Sequence, residues 1–337
     1  MLMNQDDEDC IVTVVIPYFQ REPGILRRAL DSVTAQELPS GCLVHCIVVD
    51  DGSPHPADDE IPNVSVPGQV HFEIVKQVNG GVSAARNAAL DRVPAGTRFV
   101  ACLDSDDVWM PGHLARAIAA LGEHSDFYFS NCLVDEGADW FSAIPSFAAL
   151  LRSRSSIGED HVERFTAAEM LPAFVADCPS HTSATVYRTE RFRHMRFDLG
   201  LRSAGEDHLF WFALAKGSRL VAVDTAVTVT RGHGVDLYRS AQSWDSAECL
   251  PRLCGNLLKY RRLDEQLDPA LLRTVRKQAA LVRQELLAVM VRAMRARPAR
   301  VIETLKFLWQ HDKLFFAQAV PHAVRMLWRK QQAGSSV

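Results

Sequence analysis

The chain has 337 residues, of which 47% are hydrophobic, and this suits one large domain with an extension, or two domains. No apolar run approaches the roughly 20 residues that a membrane-spanning helix needs, and the acidic N-terminus is unlike a secretory signal. The net charge is −4, and eight cysteines without paired CxxC spacing favour the reducing cytoplasm over a disulfide framework.

The chain opens with a β-branched run at residues 11–17, which predicts a central strand that stops at Pro17. Residues 27–36 then have the apolar spacing of a helix. A second apolar strand, residues 43–49, ends in the polar sequence Asp50-Asp51-Gly52-Ser53. This order is typical of a strand–helix–strand unit.

A short strand near residues 71–75 is followed by the turn Asn79-Gly80-Gly81, which enters an alanine-rich helix carrying Arg86. The turn lacks the GxxxxGK[ST] pattern, so it is not a P-loop. The next apolar strand, residues 99–103, runs directly into Asp104-Ser105-Asp106-Asp107. The second and fourth strands of this half therefore end in acidic residues.

The three carboxylates after residue 103 repel one another unless a positive charge lies beside them. Oxygen-rich clusters of this kind suit hard cations such as Mg²⁺ or Mn²⁺, which usually accompany phosphates. The alternative is a solvated acidic turn that caps a helix beginning at Pro111. Both interpretations fit the segment taken alone.

The alternation of strands and helices predicts an α/β fold, with a mostly parallel sheet and helices on both faces. In such sheets ligands bind outside the carboxyl ends of the strands. Pro17, Asp51 and the acidic segment 104–107 all fall at such ends. We therefore expect them to meet at one edge of the sheet and to form a ligand site.

The second half of the sequence is less regular. Residues 135–165 look like a loop-rich insertion. Glu206 and Asp207 precede an apolar helix at residues 209–214, where they either cap the helix or take part in chemistry. A strand at residues 220–229 then leads to His233.

We expect a catalytic domain at residues 10–240 and a helical region at residues 241–337. From residue 252 onward the chain has 17 Lys and Arg against 6 Asp and Glu, a net charge of +11. Helices are predicted at residues 269–295, 298–309 and 313–332. This basic, amphipathic region is either a cap on the catalytic domain or an anchor on an anionic inner membrane. Nucleic-acid binding is less favoured, because no recognition motif accompanies the charge.

Five segments resemble the inverting glycosyltransferase family 2, in the order found there, and span roughly residues 11–233. They are IPYFQRE, IVVDDGS, NGGVSAARNAAL, CLDSDDVWMPGHL and AGEDHLFW. The opening VVIPYFQREPGILRRAL is also similar to bacterial exopolysaccharide glucosyltransferases of the succinoglycan type. The resemblance implies the GT-A fold with a C-terminal helical extension, and inverting transfer of a hexose, expected to be glucose, from a UDP-sugar. It also implies Mn²⁺ or Mg²⁺ as cofactor, and a saccharide acceptor that we expect to be linked to polyprenyl diphosphate at the cytoplasmic membrane face.

By this resemblance, a first group of residues binds the nucleotide sugar: Pro17, Phe19, Glu22, Asp51, Arg86, Asp104 and Ser105. Asp51 would accept a hydrogen bond from the uracil imide. Two alternatives are ordinary core packing for Phe19 and a salt bridge between Arg86 and Asp104 that orders the site without touching substrate.

The remaining roles also follow from the resemblance. Asp106 is the expected metal ligand, and His233 would contact the metal or the diphosphate. Asp207 is the expected general base, with Glu206 beside it. His181 and Trp211 are expected at the acceptor, although Trp211 could equally belong to the core.

Two other function classes are compatible with an alternating sheet. A sugar-1-phosphate nucleotidyltransferase would need a glycine-rich, basic loop after the first strand, where this chain has PYFQREPG. A non-catalytic sugar-nucleotide or membrane-binding module is disfavoured by the presence of Asp104, Asp106 and Asp207.

Overall fold

The computed structural model describes residues 10–61, 69–135, 137–154, 161–232, 241–265 and 267–317. These residues fall into two compact units. The first contains residues 10–199 and 207–232, and the second contains residues 200–206 and 241–317. The assignment of catalysis to residues 10–240 and of a separate role to residues 241–337 stays a prediction.

The first half of the sheet consists of four parallel strands. In chain order they are β1 (Cys10–Tyr18), β2 (Cys42–Asp50), β3 (Val70–Lys76) and β4 (Thr97–Cys102). Across the sheet they lie in the order β3-β2-β1-β4, with Tyr18 at the end of β1 beside Asp50 at the end of β2. The polar residues that follow these strands therefore share one edge.

The second half of the sheet continues in the order β9-β6-β10-β5. Its strands in the described residues are β5 (Val108–Trp109), β6 (Phe127–Asp135), β7 (Ala138–Asp139), β8 (Val162–Phe165), β9 (Thr185–Arg188) and β10 (Val221–Thr230). Strand β9 is antiparallel to both β4 and β6, so β4 and β6 run in the same direction, and β10 is parallel to β6. The six long strands, which are β1, β2, β3, β4, β6 and β10, therefore all run in one direction. The predicted mostly parallel sheet is therefore confirmed.

Helices pack on both faces of this sheet, as predicted. The first unit contains α1 (Ile25–Thr34), α2 (Val82–Leu90), α3 (His113–Leu121), α4 (Pro145–Arg152), α5 (Ala167–Ala176), α6 (Thr189–Phe192) and, from its second residue, α7 (Glu206–Gly217). Val12, Val14 and Ile16 of β1 share a core with α1 and α3. Because strand side chains alternate, Val15 points to the opposite face, the face on which the buried side of α2 packs.

Two local predictions were wrong. Residues 135–165 were expected to be loop-rich, but their described part contains β7, α4 and β8. Helix α4 has Pro145 in its first turn and buries Phe147 and Leu151, spaced four residues apart, which is too short a pattern to identify from sequence. The helix expected from Pro111 begins at His113, after the two-residue strand β5 pairs with β10.

The described part of the second unit is helical, with α8 (Cys249–Asp264), α9 (Pro269–Ala293) and α10 (Pro298–His311). Asp312, which is buried, accepts hydrogen bonds from Arg283 Nε at 2.5 Å and Arg261 Nη1 at 3.3 Å. This ion network links the three helices, because Arg261 lies in the last turn of α8, Arg283 lies within α9, and Asp312 follows α10 directly. The helix predicted at residues 313–332 lies mostly outside the described residues. No helix in the described part of the chain is long and apolar enough to cross a membrane.

Candidate active site

The end of β2 is fixed by two adjacent, buried aspartates. Asp50 Oδ1 accepts from the Ser53 backbone N–H at 2.8 Å, and Asp50 Oδ2 accepts from the Ala57 N–H at 2.9 Å. The intervening Gly52 has φ +69°, a left-handed conformation that glycine adopts without strain. Asp50 thus builds the turn after the strand, as its polar sequence suggests.

Asp51 joins this turn to the glycine turn that precedes α2. Its Oδ1 accepts from Gln77 Nε2 and from the Gly80 N–H, both at 2.7 Å, and its Oδ2 accepts from the Gly81 N–H at 2.8 Å. The buried carboxylate is therefore held by two backbone donors and one side-chain donor. Its predicted contact with a nucleotide base stays a prediction.

Arg86, on α2, is buried and lies beside the acidic segment. Its Nη2 donates to Asp104 Oδ1 at 2.8 Å, and its guanidinium lies 5.1 Å from the centre of the Phe197 ring. Asn87 Nδ2 donates to the Phe197 carbonyl at 2.9 Å, and Asn87 Oδ1 accepts from the Phe197 N–H at 2.8 Å. The salt bridge considered from sequence is thus present, and it places a fixed cation at the edge of the acidic segment.

Residues after β1 connect to the same place. Gln20 Nε2 donates to Ser105 Oγ at 3.1 Å, and the Gln20 backbone N–H donates to Ser53 Oγ at 2.9 Å. Of the other predicted donor-binding residues here, Pro17 is buried within β1, Phe19 is half-buried just beyond it, and Glu22 is exposed. The structure thus brings the ends of β1, β2 and β4 together.

Asp107 is the buried member of the acidic segment. Its Oδ2 accepts from Ser183 Oγ at 2.5 Å, and its Oδ1 accepts from the Gly232 N–H at 2.9 Å. Burial raises the pKa of the Asp107 carboxyl, while His181, with Nδ1 3.7 Å from Oδ2, acts in the opposite direction. Ser183 Oγ also accepts from the Asp104 N–H at 3.0 Å. Asp107 and Ser183 together clamp the turn.

Asp106 is half-buried between these anchored neighbours. Nucleotide-binding sites commonly hold Mg²⁺ with one or two carboxylates plus the substrate phosphates, and Asp106 suits that use. Asp104 and Asp107 are engaged by Arg86 and Ser183, and no three His, Cys, Asp or Glu side chains of the described residues are arranged to hold a metal. The side chains fit a cation shared with a diphosphate rather than a cage made of protein alone. His233 lies outside the described residues.

Gly232 packs so closely on the acidic segment that no side chain fits there. A Cβ at this position would lie 1.5 Å from the Asp106 carbonyl oxygen. We expect Gly232→Ala to lower the free energy of unfolding by about 1–3 kcal/mol and to weaken UDP binding, because the turn must move. Urea denaturation and calorimetric titration with UDP measure the two effects. Gly112→Ala is the matched control, since nothing lies within 4 Å of its added Cβ. Equal stability of the two variants would contradict this account.

Glu206 and Asp207 begin helix α7, as predicted. Asp207 is half-buried, and its Oδ1 accepts from the His208 N–H at 2.6 Å. Glu206 is buried. His208 is also buried, and its ring Nε2 contacts the Phe174 carbonyl oxygen. The acidic pair thus lies in the first turn of α7, and its predicted role in catalysis stays a prediction.

The two residues expected at the acceptor differ in their surroundings. Trp211 is fully buried, stacked on Phe127 at 6.1 Å between ring centres, and edge-on to Phe197 at 5.9 Å. Trp211 thus packs in the aromatic core between α7 and β6, which was the alternative left open from sequence, and its predicted contact with the acceptor stays a prediction. His181 is half-buried, between Asp107 and the Trp140 ring, whose centre is 5.5 Å away.

Three residues of this region were not predicted from sequence. Ser183 and Gln20 have the contacts described above, and Glu60 accepts from the Gly24 N–H at 2.5 Å and the Arg27 N–H at 2.9 Å at the start of α1. Their partners lie 33 to 85 residues away in sequence. Of these three residues, only Gln20 lies in a segment that resembles the family, IPYFQRE, so only Gln20 could have been chosen from sequence.

Comparison with known proteins identifies the family to which the chain belongs. A model of glycosyl transferase family 2 matches residues 13–178. The chain is 32% identical over 324 residues to the succinoglycan biosynthesis protein ExoW of Rhizobium meliloti (strain 1021), covering 91% of this chain and 96% of that protein.

Two solved structures share the fold at low sequence identity. S. aureus TarS 1-349 in complex with UDP-GlcNAc matches with a TM-score of 0.55 and 18% identity, over 91% of this chain and 83% of that one. The mannosyltransferase PcManGT from Pyrobaculum calidifontis, in complex with GDP-Man and Mn²⁺, matches with a TM-score of 0.53 and 18% identity, over 95% and 87%.

Proposed function

Because the chain belongs to glycosyltransferase family 2 and has the GT-A fold, we propose that it transfers a hexose from a UDP-sugar to a saccharide acceptor with inversion. The observation that carries this proposal is the shared strand edge, where Asp51, the Arg86–Asp104 pair and the clamped turn 104–107 lie. The similarity to a succinoglycan biosynthesis protein supports a role in bacterial exopolysaccharide or surface polysaccharide biosynthesis.

We assign donor binding to the ends of β1, β2 and β4. Asp51 would accept from the uracil imide, with Pro17, Phe19 and Glu22 around the base. Arg86 and Asp104 would orient the diphosphate and ribose, since their ion pair fixes both groups before substrate arrives. The UDP-GlcNAc complex of a structural neighbour supports a UDP donor, and we propose glucose as the sugar.

The leaving diphosphate needs charge neutralisation. We assign Asp106, with His233, to hold Mn²⁺ or Mg²⁺, which as a Lewis acid would stabilise the negative charge of the leaving group. The Mn²⁺ complex of the mannosyltransferase neighbour supports a divalent cofactor. The clamp on Asp107 keeps the Asp106 backbone in position, while Arg86 adds a fixed positive charge nearby.

Inversion requires one base. We assign this role to Asp207, which would take the proton from the acceptor hydroxyl as that oxygen attacks the anomeric carbon opposite the departing UDP. Glu206 beside it would orient the acceptor, and His181 would contact it. We propose that the acceptor saccharide is carried on polyprenyl diphosphate, and that the protein works at the cytoplasmic face of the inner membrane.

A donor panel tests the proposal. Hydrolysis of UDP-glucose, UDP-galactose, UDP-GlcNAc and GDP-mannose is measured with Mn²⁺, with Mg²⁺ and with EDTA. We expect release of UDP that depends on the cation and is fastest with UDP-glucose. With an added saccharide acceptor, an α-linked donor should give a β-glycoside by NMR.

Three outcomes would contradict the proposal. Release of pyrophosphate from a nucleoside triphosphate and a sugar 1-phosphate would identify a nucleotidyltransferase instead. Binding of UDP-sugars without turnover on any donor would indicate a non-catalytic module. An α-glycoside product would exclude inversion.

A further inference from the structure

Helix α10 presents two different faces. Val301, Thr304 and Leu308 are buried within the helical unit. On the opposite side, Ile302 is 53% exposed and Trp309 is 62% exposed, although both are large apolar side chains. Residues seven positions apart lie on the same side of a helix, so these two form part of one surface.

Lysines lie between and beside these apolar residues. Lys306 is exposed and falls on the same side as Ile302 and Trp309. Lys313, also exposed, has its Nζ 5.7 Å from the centre of the Trp309 ring, and the Phe316 ring lies edge-on to Trp309 at 5.7 Å. We call the surface made by Ile302, Lys306, Trp309, Lys313 and Phe316 the outer face of α10.

The sequence that contains the outer face is strongly basic. Residues 291–317 contain six Lys and Arg against two Asp and Glu. One of those two acids, Asp312, is buried and paired with Arg283 and Arg261, so it does not offset the charge at the surface. Val291 and Met294, near the end of α9, are also more than half exposed.

We infer that the outer face of α10 docks on an anionic lipid surface. Tryptophan and lysine are both favoured at the boundary of a bilayer, where the ring enters the headgroup layer and the lysine keeps its ammonium in water. The centres of protein–protein interfaces are instead depleted in lysine, which disfavours a protein partner at this face. Positive charge around the apolar residues complements anionic headgroups.

This inference rests on the proposed function and deepens it by naming the membrane-binding residues. A transferase held at an anionic membrane meets acceptors that diffuse in the plane of the bilayer. A binding surface of this size combines two weak contributions, apolar insertion and electrostatic attraction, so the association is reversible and sensitive to salt.

Vesicle sedimentation of the full chain tests the inference. Vesicles contain either phosphatidylcholine alone or equal parts of phosphatidylcholine and phosphatidylglycerol. We expect binding only to the anionic vesicles, lost as salt rises. Replacing Lys306 and Lys313 with glutamine should weaken binding by about fivefold for each lysine. The double variant Ile302→Ser, Trp309→Ser should weaken binding at least as much, because its apolar contacts are gone.

Matched controls distinguish binding through the outer face from nonspecific hydrophobic binding to vesicles. Trp244→Ser and Leu199→Ser remove other exposed apolar side chains and should leave vesicle binding unchanged. UDP-sugar hydrolysis is measured on every variant, so a failure of the proposed function is distinguishable from a failure of this inference. Equal binding of the outer-face variants and wild type would overturn the inference and point to another segment. Loss of a dimer in the Trp309 variant with unchanged vesicle binding would assign the face to a second copy of the chain.

Discussion

The Asp207→Asn variant is expected to bind the UDP-sugar with wild-type affinity and to turn it over about 100- to 10,000-fold more slowly. Asparagine keeps the oxygen that accepts the His208 N–H, so the start of α7 is preserved. Its amide cannot take a proton from the acceptor hydroxyl. Transfer kinetics measure the loss, and calorimetric titration with UDP measures donor binding.

Two matched variants sharpen this test. Asp177→Asn changes an exposed aspartate whose Oδ1 accepts from the next backbone N–H at 2.8 Å, the same local arrangement as in Asp207, and should leave turnover unchanged. Glu206→Gln removes the neighbouring carboxylate. If Asp207→Asn changes turnover by less than about threefold while Glu206→Gln abolishes it, the base is Glu206 and our assignment is wrong.

The Asp106→Ala variant is expected to lose transfer activity and to lose the increase in UDP affinity that we expect Mn²⁺ to give the wild-type protein. Asp106 is half-buried in a turn held by other residues, so the fold should survive its removal. Titration with UDP in the presence and absence of Mn²⁺ provides a readout that does not depend on turnover. Thermal denaturation checks the fold.

Asp31→Ala, which removes an exposed carboxylate on α1, is the control for a general loss of negative charge. Full activity of wild type in EDTA, or of Asp106→Ala with Mn²⁺, would refute a metal-dependent mechanism at this position. A loss of activity with unchanged Mn²⁺-dependent UDP binding would place the cation on other residues.

Sequence predicted the part of the fold that depends on long periodic segments. The strands expected at residues 11–17 and 43–49 extend over Cys10–Tyr18 and Cys42–Asp50, because continuous β-branched runs specify a strand buried on both faces. The convergence of strand ends followed from parallel pairing alone. Short elements such as β5 and α4 carry too few residues for a period to be recognised, and tertiary pairing decides them.

In the candidate site, too, residues in local motifs were predicted from sequence, whereas residues that depend on distant contacts were not. Asp51, Arg86, Asp104 and Ser105 were chosen from local motifs, and the structure brings them to one edge. Ser183 and Gly232 were not chosen from sequence. A serine near a strand and a glycine after a strand are common, and only their distant partners in the structure distinguish these two residues. Sequence left two places open for Trp211, because an aromatic residue on an apolar helix has the same pattern whether it lines a pocket or the core, and the structure shows it fully buried.

The clamp on Asp107 has a consequence for how the protein matures. Its two bonds join residues that are 76 and 125 positions apart in the chain. At a synthesis rate of roughly 5–20 residues per second, Gly232 follows Asp107 by on the order of 10 s. During that interval strands β1 to β4 can already pair, whereas Asp107 gains its Ser183 donor only after 76 further residues and its Gly232 donor only after 125. A nascent or truncated chain that stops short of Gly232 would contain every motif to which we assign donor binding and yet lack the second of the two bonds that hold Asp107.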